Sequence, residues 1–409
     1  MQEIKRSSVD TIKQLLKLFP CVAILGARQV GKSTIINQLL PGIPVFDLED
    51  EDVYNRIKKD ISFFLKQQSS AIAIDEAQLL PQLFPALRVF IDKNRNKNGQ
   101  FLLTGSSSPE LLKNISESLA GRIAIYELST FNLQESWQTK QSTFYNIILQ
   151  KKWSKLDSLK THISLQQLHT SCVYGGYPEP FFKRAKSSFF ELWMKNYFKT
   201  YIERDVRNLF PSLNLDTYKR FIHMLSFSIC DCMNLLKIAK TLSVSQPSVH
   251  SYLEIATGTF LWRALPSFTK NPKKRVIKSP KGYIRDTGLI CHLLKIKTVD
   301  DLLSHPLFGS IWEAFIIENI LKTLDQYLIT YDVCHYRTRD NAEIDLILDS
   351  SKGIIPVEIK SGSTFRPEHI TTLERFIKEN NCSIGFLVNA SDKVARLSEK
   401  IYQIPAGCL

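Results

Sequence analysis

Cys21-Val-Ala-Ile-Leu-Gly26-Ala-Arg-Gln-Val-Gly31-Lys32-Ser33-Thr34 decides how the first third of the chain is read. Its apolar start, Cys21 to Leu25, is what a strand buried on both faces of a parallel sheet needs. Gly26 to Ser33 satisfies G-x-x-x-x-G-K-[ST], a loop whose glycines let successive N–H groups turn toward phosphate oxygens at a helix N-terminus. Ile35, Ile36, Leu39 and Leu40 then recur at helical spacing until Pro41-Gly42 stops the run. Gly26, Ala27, Arg28, Gln29, Val30, Gly31, Lys32, Ser33 and Thr34 are therefore the expected cradle of a nucleoside triphosphate, with ATP as the ligand. Lys32 is expected at the β- and γ-phosphates and the Ser33 hydroxyl on Mg2+.

A phosphate loop of this kind needs a second strand to hold the metal and the attacking water. Ala71-Ile-Ala-Ile-Asp75-Glu76 supplies it, with Asp75 expected beside Ser33 on Mg2+ and Glu76 expected to polarise the water. Val45-Phe-Asp-Leu-Glu-Asp50 and Phe101-Leu-Leu-Thr104-Gly-Ser106 read as further strands. The second would bring the hydroxyl of Thr104 or Ser106 beside the γ-phosphate, unless it only caps the strand. Strands alternating with helices through about residue 130 predict an α/β doubly wound parallel sheet.

Composition limits the classes of function. The 409 residues are 44% hydrophobic and 23% charged, which is globular composition and excludes a wholly disordered or collagen-like chain. Fifty-three Lys+Arg against 40 Asp+Glu leave a formal charge of +13, favouring a polyanionic partner or substrate. The eight cysteines share no repeated spacing, so neither a disulfide framework nor a zinc site is expected. No run approaches the roughly 18 apolar residues of a membrane span, and no apolar segment follows the first charges. No membrane association and a cytoplasmic location are expected.

Residues 24–34, 71–78 and 101–122 resemble the AAA-type P-loop ATPases of prokaryotes, within them the group carrying a C-terminal restriction-endonuclease-like (PD-(D/E)xK) domain. Ser118-Leu-Ala-Gly-Arg122 recurs in that group after the sensor strand. The resemblance implies that Arg122 offsets γ-phosphate charge, in cis or from a neighbouring subunit, or else pairs with an interdomain carboxylate. Gly175-Gly-Tyr-Pro-Glu-Pro180 and Tyr201-Ile-Glu-Arg-Asp205-Val also resemble the group and are taken as a helical lid and its hinge.

In the middle of the chain, Leu235, Leu236, Ile238, Ala239 and Leu242 make one apolar face. Ser243-Val-Ser245 makes a turn, and Val249, Tyr252, Leu253 and Ala256 make a second apolar face. This is helix-turn-helix spacing, similar to a winged-helix module. The aromatic run Phe189 to Tyr201 reads as core. Lys270, Lys273, Lys274, Arg275, Lys278, Lys281 and Arg285 come next, with no acid among them up to Arg285. Carried on a wing they would neutralise DNA phosphates; otherwise they form a solvated hairpin.

Near the C-terminus, Glu343-Ile-Asp345 and Val357-Glu358-Ile-Lys360 flank a turn at Ser351-Lys352. That register sets Asp345 opposite Glu358 and Glu343 opposite Lys360, with all four charges on one face and Ile344, Leu346, Val357 and Ile359 on the other. Two carboxylates so placed can hold Mg2+, and Lys360 can orient water beside it. The layout resembles the D-x(n)-E-x-K arrangement of restriction-endonuclease-like nucleases, which implies Glu313 as a further metal carboxylate. Pro356 in the second strand departs from that pattern. Without the resemblance the segment reads as a solvated hairpin of paired charges.

The expected architecture is an AAA-type P-loop ATPase domain over residues 1–165, a helical lid and winged-helix module over 166–298, and a nuclease-like α/β domain over 299–409. The expected function is Mg2+-dependent ATP hydrolysis coupled to a DNA- or protein-binding C-terminal region, in a chain able to form oligomers. The alternatives are a non-hydrolysing nucleotide switch and an ATP-regulated, metal-dependent DNA nuclease.

Overall fold

The computed structural model describes residues 4–106, 115–269, 281–338, 340 and 342–409. They form two compact units. The first runs to Thr130 and takes in Gly258–Phe260; the second comprises Phe131–Thr257 and Leu261–Leu409.

In the first unit five strands, β1 (Cys21–Gly26), β2 (Val45–Asp47), β3 (Ile72–Asp75), β4 (Phe101–Ser106) and β5 (Ile123–Glu127), form an all-parallel sheet in the order β2-β3-β4-β1-β5. β1 and β3 are buried along their whole length, as their unbroken apolar runs require. The helix Leu83–Lys93 buries Leu83, Phe84, Leu87 and Ile91 at i, i+1, i+4 and i+8 against one face of this sheet. Because every strand points the same way, the loops after β1, β3 and β4 open at one edge, where a doubly wound sheet binds its ligand. The doubly wound α/β expectation holds.

The expected end of the ATPase domain at 165 does not coincide with the first unit's last strand. Leu133, Phe144, Tyr145, Ile147, Ile148, Leu156 and Ile163 bury their side chains in the core of the second unit, together with Ala406, Cys408 and Leu409. Backbone pairing fixes the arrangement: His162 N donates to Gly407 O at 2.9 Å. The apolar face of Thr143–Gln150 is covered there, and that burial sets the boundary.

The helices Leu235–Leu242 and Gln246–Gly258 are joined through Ser243 in the left-handed conformation (φ 56°), and Ser245 Oγ accepts from Ser248 N at 3.2 Å. Val249, Tyr252, Leu253 and Ala256 are buried as their spacing predicts. Leu236 is 59% exposed, because the helix turns Ile238, Ala239 and Leu242 inward instead. Three short strands pair in the order β6-β8-β7: β6 (Asp231–Cys232), β7 (Trp262–Leu265) and β8 (Lys281–Ile284). The indole of Trp262 lies on Gly282, where a Cβ would come within 2.4 Å of the ring. Glycine is there for close approach.

The C-terminal sheet comprises β9 (Asp332–Arg337), β10 (Glu343–Ser350), β11 (Gly353–Ile359), β12 (Gly385–Asn389), β13 (Ala395–Arg396) and β14 (Ile401–Pro405), in the order β13-β14-β12-β11-β10-β9. β10 and β11 pair from Leu346↔Val357 to Ser350↔Gly353, the register expected from the turn at Ser351-Lys352. A bulge between Ile344 and Ile347 in the β10–β9 ladder breaks the simple alternation. Ile344 consequently joins Ile347 in one apolar cluster while Leu346 packs in the other, so the expected grouping of Ile344 with Leu346 fails. The segment after β7 continues onto the edge of this sheet: Phe268 N donates to His335 O at 2.6 Å, and His335 N to Pro266 O at 3.0 Å.

Gly175-Gly176 meets the turn at Asp286-Thr-Gly288. Gly176 N donates to Asp286 Oδ2 at 2.9 Å, and Gly175 has φ 67°, with Asp286 Oδ1 within 2.1 Å of where a Cβ would stand. Tyr201–Val206 forms a turn of π-helix continuing Ser187–Thr200. Among the described residues no helix is long and apolar enough to cross a membrane.

Candidate nucleotide site and C-terminal carboxylate cluster

The loop after β1 is built from two residues in the left-handed region, Gln29 (φ 65°) and Gly31 (φ 95°), which carry the chain around into the helix Lys32–Leu39. Gly31 is there for its φ. Gly26 is there for space: a Cβ on it would lie 2.3 Å from the carbonyl oxygen of Leu128, just beyond β5. Lys32 is buried, and its Nζ donates to Gly26 O (3.1 Å) and Ala27 O (3.0 Å), holding the ammonium across the loop. Arg28 pairs with Glu49 at 3.2 Å. Arg6, which belongs to no motif, braces the loop from behind, donating to Val30 O (2.7 Å) and Ser129 O (2.8 Å).

Parallel pairing brings the metal-directed groups together across 42 residues of sequence: Ser33 Oγ donates to Asp75 Oδ2 at 2.7 Å. These hard oxygen donors suit Mg2+, and the residues fit that ion. Thr104 is buried at the end of β4, and its hydroxyl donates to Asp75 Oδ1. In this structure Thr104 therefore orients Asp75. Glu76 comes next, with φ 50° and ψ 45°, a region sparsely occupied by non-glycine residues. Its N–H donates to Asp75 Oδ1 (3.0 Å), and its carboxylate accepts from Gln78 Nε2.

Arg122 is not part of this site. Cys21 N donates to Arg122 O at the start of β1, and Ile123 pairs with Cys21, so Arg122 lies at the opposite edge of the sheet. A six-residue strand separates that edge from the phosphate loop by about 16 Å, beyond the reach of an arginine. Its guanidinium instead forms a two-pronged pair with Asp92 at 2.7 and 2.9 Å. That contact holds the Asp92 carboxyl below its ordinary range. The cis role expected for Arg122 is corrected; the partner is a carboxylate of the same unit.

The basic run divides as well. Lys270, Lys273, Lys274, Arg275 and Lys278 lie outside the described residues. Lys281 and Arg285 are not on a solvated wing. Arg285 Nε donates to Glu318 Oε1 (2.9 Å), Arg263 Nε to Glu318 Oε2 (2.7 Å), and Tyr283 OH to the same oxygen (3.1 Å). Burial alone would raise the Glu318 carboxyl, but the two guanidiniums outweigh it and hold it well below the usual range.

Lys281 is 2% exposed and enters the C-terminal carboxylate cluster. Its Nζ lies 2.6 Å from Glu313, 2.7 Å from Glu343 and 3.4 Å from Asp345. Lys360 completes the group at 2.7 Å from Glu358 and 3.7 Å from Asp345. Ile359 N donates to Asp345 Oδ2 at 2.8 Å. The expected residues are thus brought together, but the metal assigned to Glu313, Asp345 and Glu358 does not fit: an ammonium already stands among them. Among the described residues no three His, Cys, Asp or Glu side chains converge to hold a metal ion. Burial and the neighbouring Asp345 charge push Glu358 up to about 8, while Glu313, likewise buried, is raised well above the carboxylate range. Burial would raise Asp345 too, but Lys281 and Lys360 keep it low and ionised. Sequence reasoning placed Lys281 with the exposed lysines. Its signal was the strand Gly282-Tyr283-Ile284 immediately after it, apolar and short.

The AAA domain family matches residues 19–137, a domain of unknown function (DUF8612) matches 165–300, and a second (DUF4143) matches 308–409. The uncharacterized protein Rv2008c of Mycobacterium tuberculosis is 31% identical over 362 residues, spanning 88% of this chain and 74% of that protein. The uncharacterized protein MJ1544 of Methanocaldococcus jannaschii is 25% identical over 383 residues, 89% of this chain and 80% of its own. Among solved structures, the Walker-type ATPase PABY2304 of Pyrococcus abyssi aligns over 71% of this chain and 95% of its own, at 15% identity and a TM-score of 0.43. The chain belongs to the family of Rv2008c, and its N-terminal unit carries the AAA-type P-loop ATPase domain.

Proposed function

We propose that the protein binds ATP with Mg2+ and hydrolyses it, and that nucleotide state governs a DNA- or protein-binding region in the C-terminal two thirds. The observation that carries this reading is the Ser33–Asp75 contact at 2.7 Å beside the buried Lys32 ammonium. Mg2+, when bound, would be held by Ser33 and Asp75 and would supply charge to the phosphate oxygens. Lys32 stands over the loop carbonyls, ready to exchange them for phosphate oxygens. Thr104 holds Asp75 in orientation, and Glu76 accepts the proton of the attacking water once its carboxylate leaves Gln78. Arg122, half-buried beside Asp92 and remote from the loop of its own chain, would serve a neighbouring subunit's site in an oligomer. The Glu76–Gln78 contact also favours a second reading, a nucleotide switch that binds ATP without turning it over.

For the middle module we propose a winged helix. Its support is the helix pair succeeded by the antiparallel pair of strands β7 and β8, with the lysines that the sequence carries between them supplying the charge that would meet DNA phosphates. For residues 299–409 we propose a restriction-endonuclease-like fold, supported by Asp345 and Glu358 on adjacent strands with Lys360 just past the second. The ammonium of Lys281 stands among the carboxylates where a nuclease would need its metal.

Phosphate release from the full-length protein, with and without DNA, tests the main reading. Wild type should turn over and Lys32→Ala should not. Equal release by the two would refute hydrolysis at this loop, and tight ATP binding by wild type without release would select the switch.

A further inference from the structure

The C-terminal carboxylates face a charge problem that the fold answers from within. Glu313, Glu343 and Asp345 meet the ammonium of Lys281, and Asp345 and Glu358 meet that of Lys360, each within 4 Å. Lys360 belongs to the same segment as Glu358 and sits at the cluster's rim, 29% exposed. Lys281 belongs to another sheet, is 2% exposed, and touches three carboxylates from three chain positions. A point charge on a flexible stem, contacting oxygen donors on several sides, occupies the place a hard cation would take.

We propose that Lys281 is the resident cation of this cluster, so that the acidic group is a metal-free ion-pair knot joining the β6-β8-β7 sheet to the C-terminal sheet. This goes beyond the ATPase reading and does not rest on it. The strand that carries Lys281 is not free to withdraw. Glu318 grips Arg263 on β7 and Arg285 just past β8, each at 2.7–2.9 Å through Nε. The segment after β7 is paired to the edge strand β9 through Phe268 and His335. Cys230 N, before β6, donates to Gly282 O at 2.8 Å on the other side. Three anchors hold the ammonium in the cluster. Removing it would leave Glu313, Glu343 and Asp345 without the cation they share, a gap that a divalent ion of the right size would fill.

The test uses nucleotide-free full-length protein and Mn2+ as the probe, with bound Mn2+ counted by electron paramagnetic resonance. Wild type and Asp345→Asn should bind equal amounts. Lys281→Ala should gain one Mn2+ and a Mn2+-dependent rise in thermal midpoint, and Lys281→Ala/Asp345→Asn should lose both. A Mn2+ bound by wild type and lost in Asp345→Asn would overturn the proposal, as would a folded Lys281→Ala that gains none. A second measurement does not depend on any variant folding. In wild type, Lys281 should resist acetylation under native conditions, and millimolar Mn2+ should leave that resistance unchanged. Acetylation of Lys281 that rises with Mn2+ would mean that the metal displaces it, and would likewise refute the assignment.

Discussion

Replacing Glu318 by glutamine removes a buried anion that holds both Arg263 and Arg285. The carboxylate is 2% exposed and accepts from Arg263 at 2.7 and 3.0 Å, from Arg285 at 2.9 Å and from the Tyr283 hydroxyl at 3.1 Å. A glutamine fills the same space, but it offers one acceptor oxygen and turns an NH2 donor toward guanidiniums that only donate. Arg285 keeps 10% side-chain exposure and Arg263 22%, so neither recovers its solvation. Breaking one side of a buried charged group of this kind costs about 3–5 kcal/mol. At about 2 °C per kcal/mol for a large unit, the midpoint of the second unit should fall by about 6–10 °C. Thermal unfolding monitored by circular dichroism measures it, with Glu318→Gln/Arg263→Gln closing a cycle whose coupling should exceed about 1 kcal/mol. A folded Glu318→Gln within about 2 °C of wild type would show that the network adds nothing and that the β7–β8 strand pair is held by its apolar contacts alone.

The same carboxylate predicts a pH dependence. Its folded-state pKa is depressed, so its contribution is fully present above the unfolded-state value near 4.3 and is lost as pH falls through the folded value. The midpoint gap between wild type and Glu318→Gln should stay constant above about pH 5.5 and narrow below about pH 4; a gap that instead closes on the alkaline side contradicts the assignment. In the first unit, Gly31→Ala meets only its own φ of 95° and should cost about 1–2 kcal/mol. Gly26→Ala drives a methyl into the Leu128 carbonyl at 2.3 Å, so it should cost more and also weaken ATP binding. Chemical denaturation of the two variants checks the order, and a milder Gly26→Ala would refute the close-approach argument.

Local pattern made the geometry of the candidate nucleotide site legible. The phosphate loop, the strand ending in Asp75 and the strand carrying Thr104 each place their polar residues at the end of an apolar run. Parallel pairing can bring such ends only to one edge of a sheet. The β10–β11 register was legible for the same reason, since a turn at Ser351-Lys352 leaves no other pairing that keeps Leu346 and Val357 inside. The boundary at Thr130 was not, because the apolar face of Thr143–Gln150 shows that the segment is covered without showing by what.

What the amino-acid sequence determined by itself was local geometry carried within a dozen residues, where backbone geometry alone converts spacing into position: the glycine loop after β1, the strand that ends in Asp75 and the helix pair of the middle module. Tertiary structure alone decided which charges meet. Arg122 went to Asp92 at the far edge of the sheet, Arg285 to Glu318, and Lys281 into the carboxylates 32, 62 and 64 residues further on. A charge attracts every opposite charge alike, so its sequence position names no partner. Packing chooses one by deciding which groups leave water together, and burial then makes that choice costly to reverse.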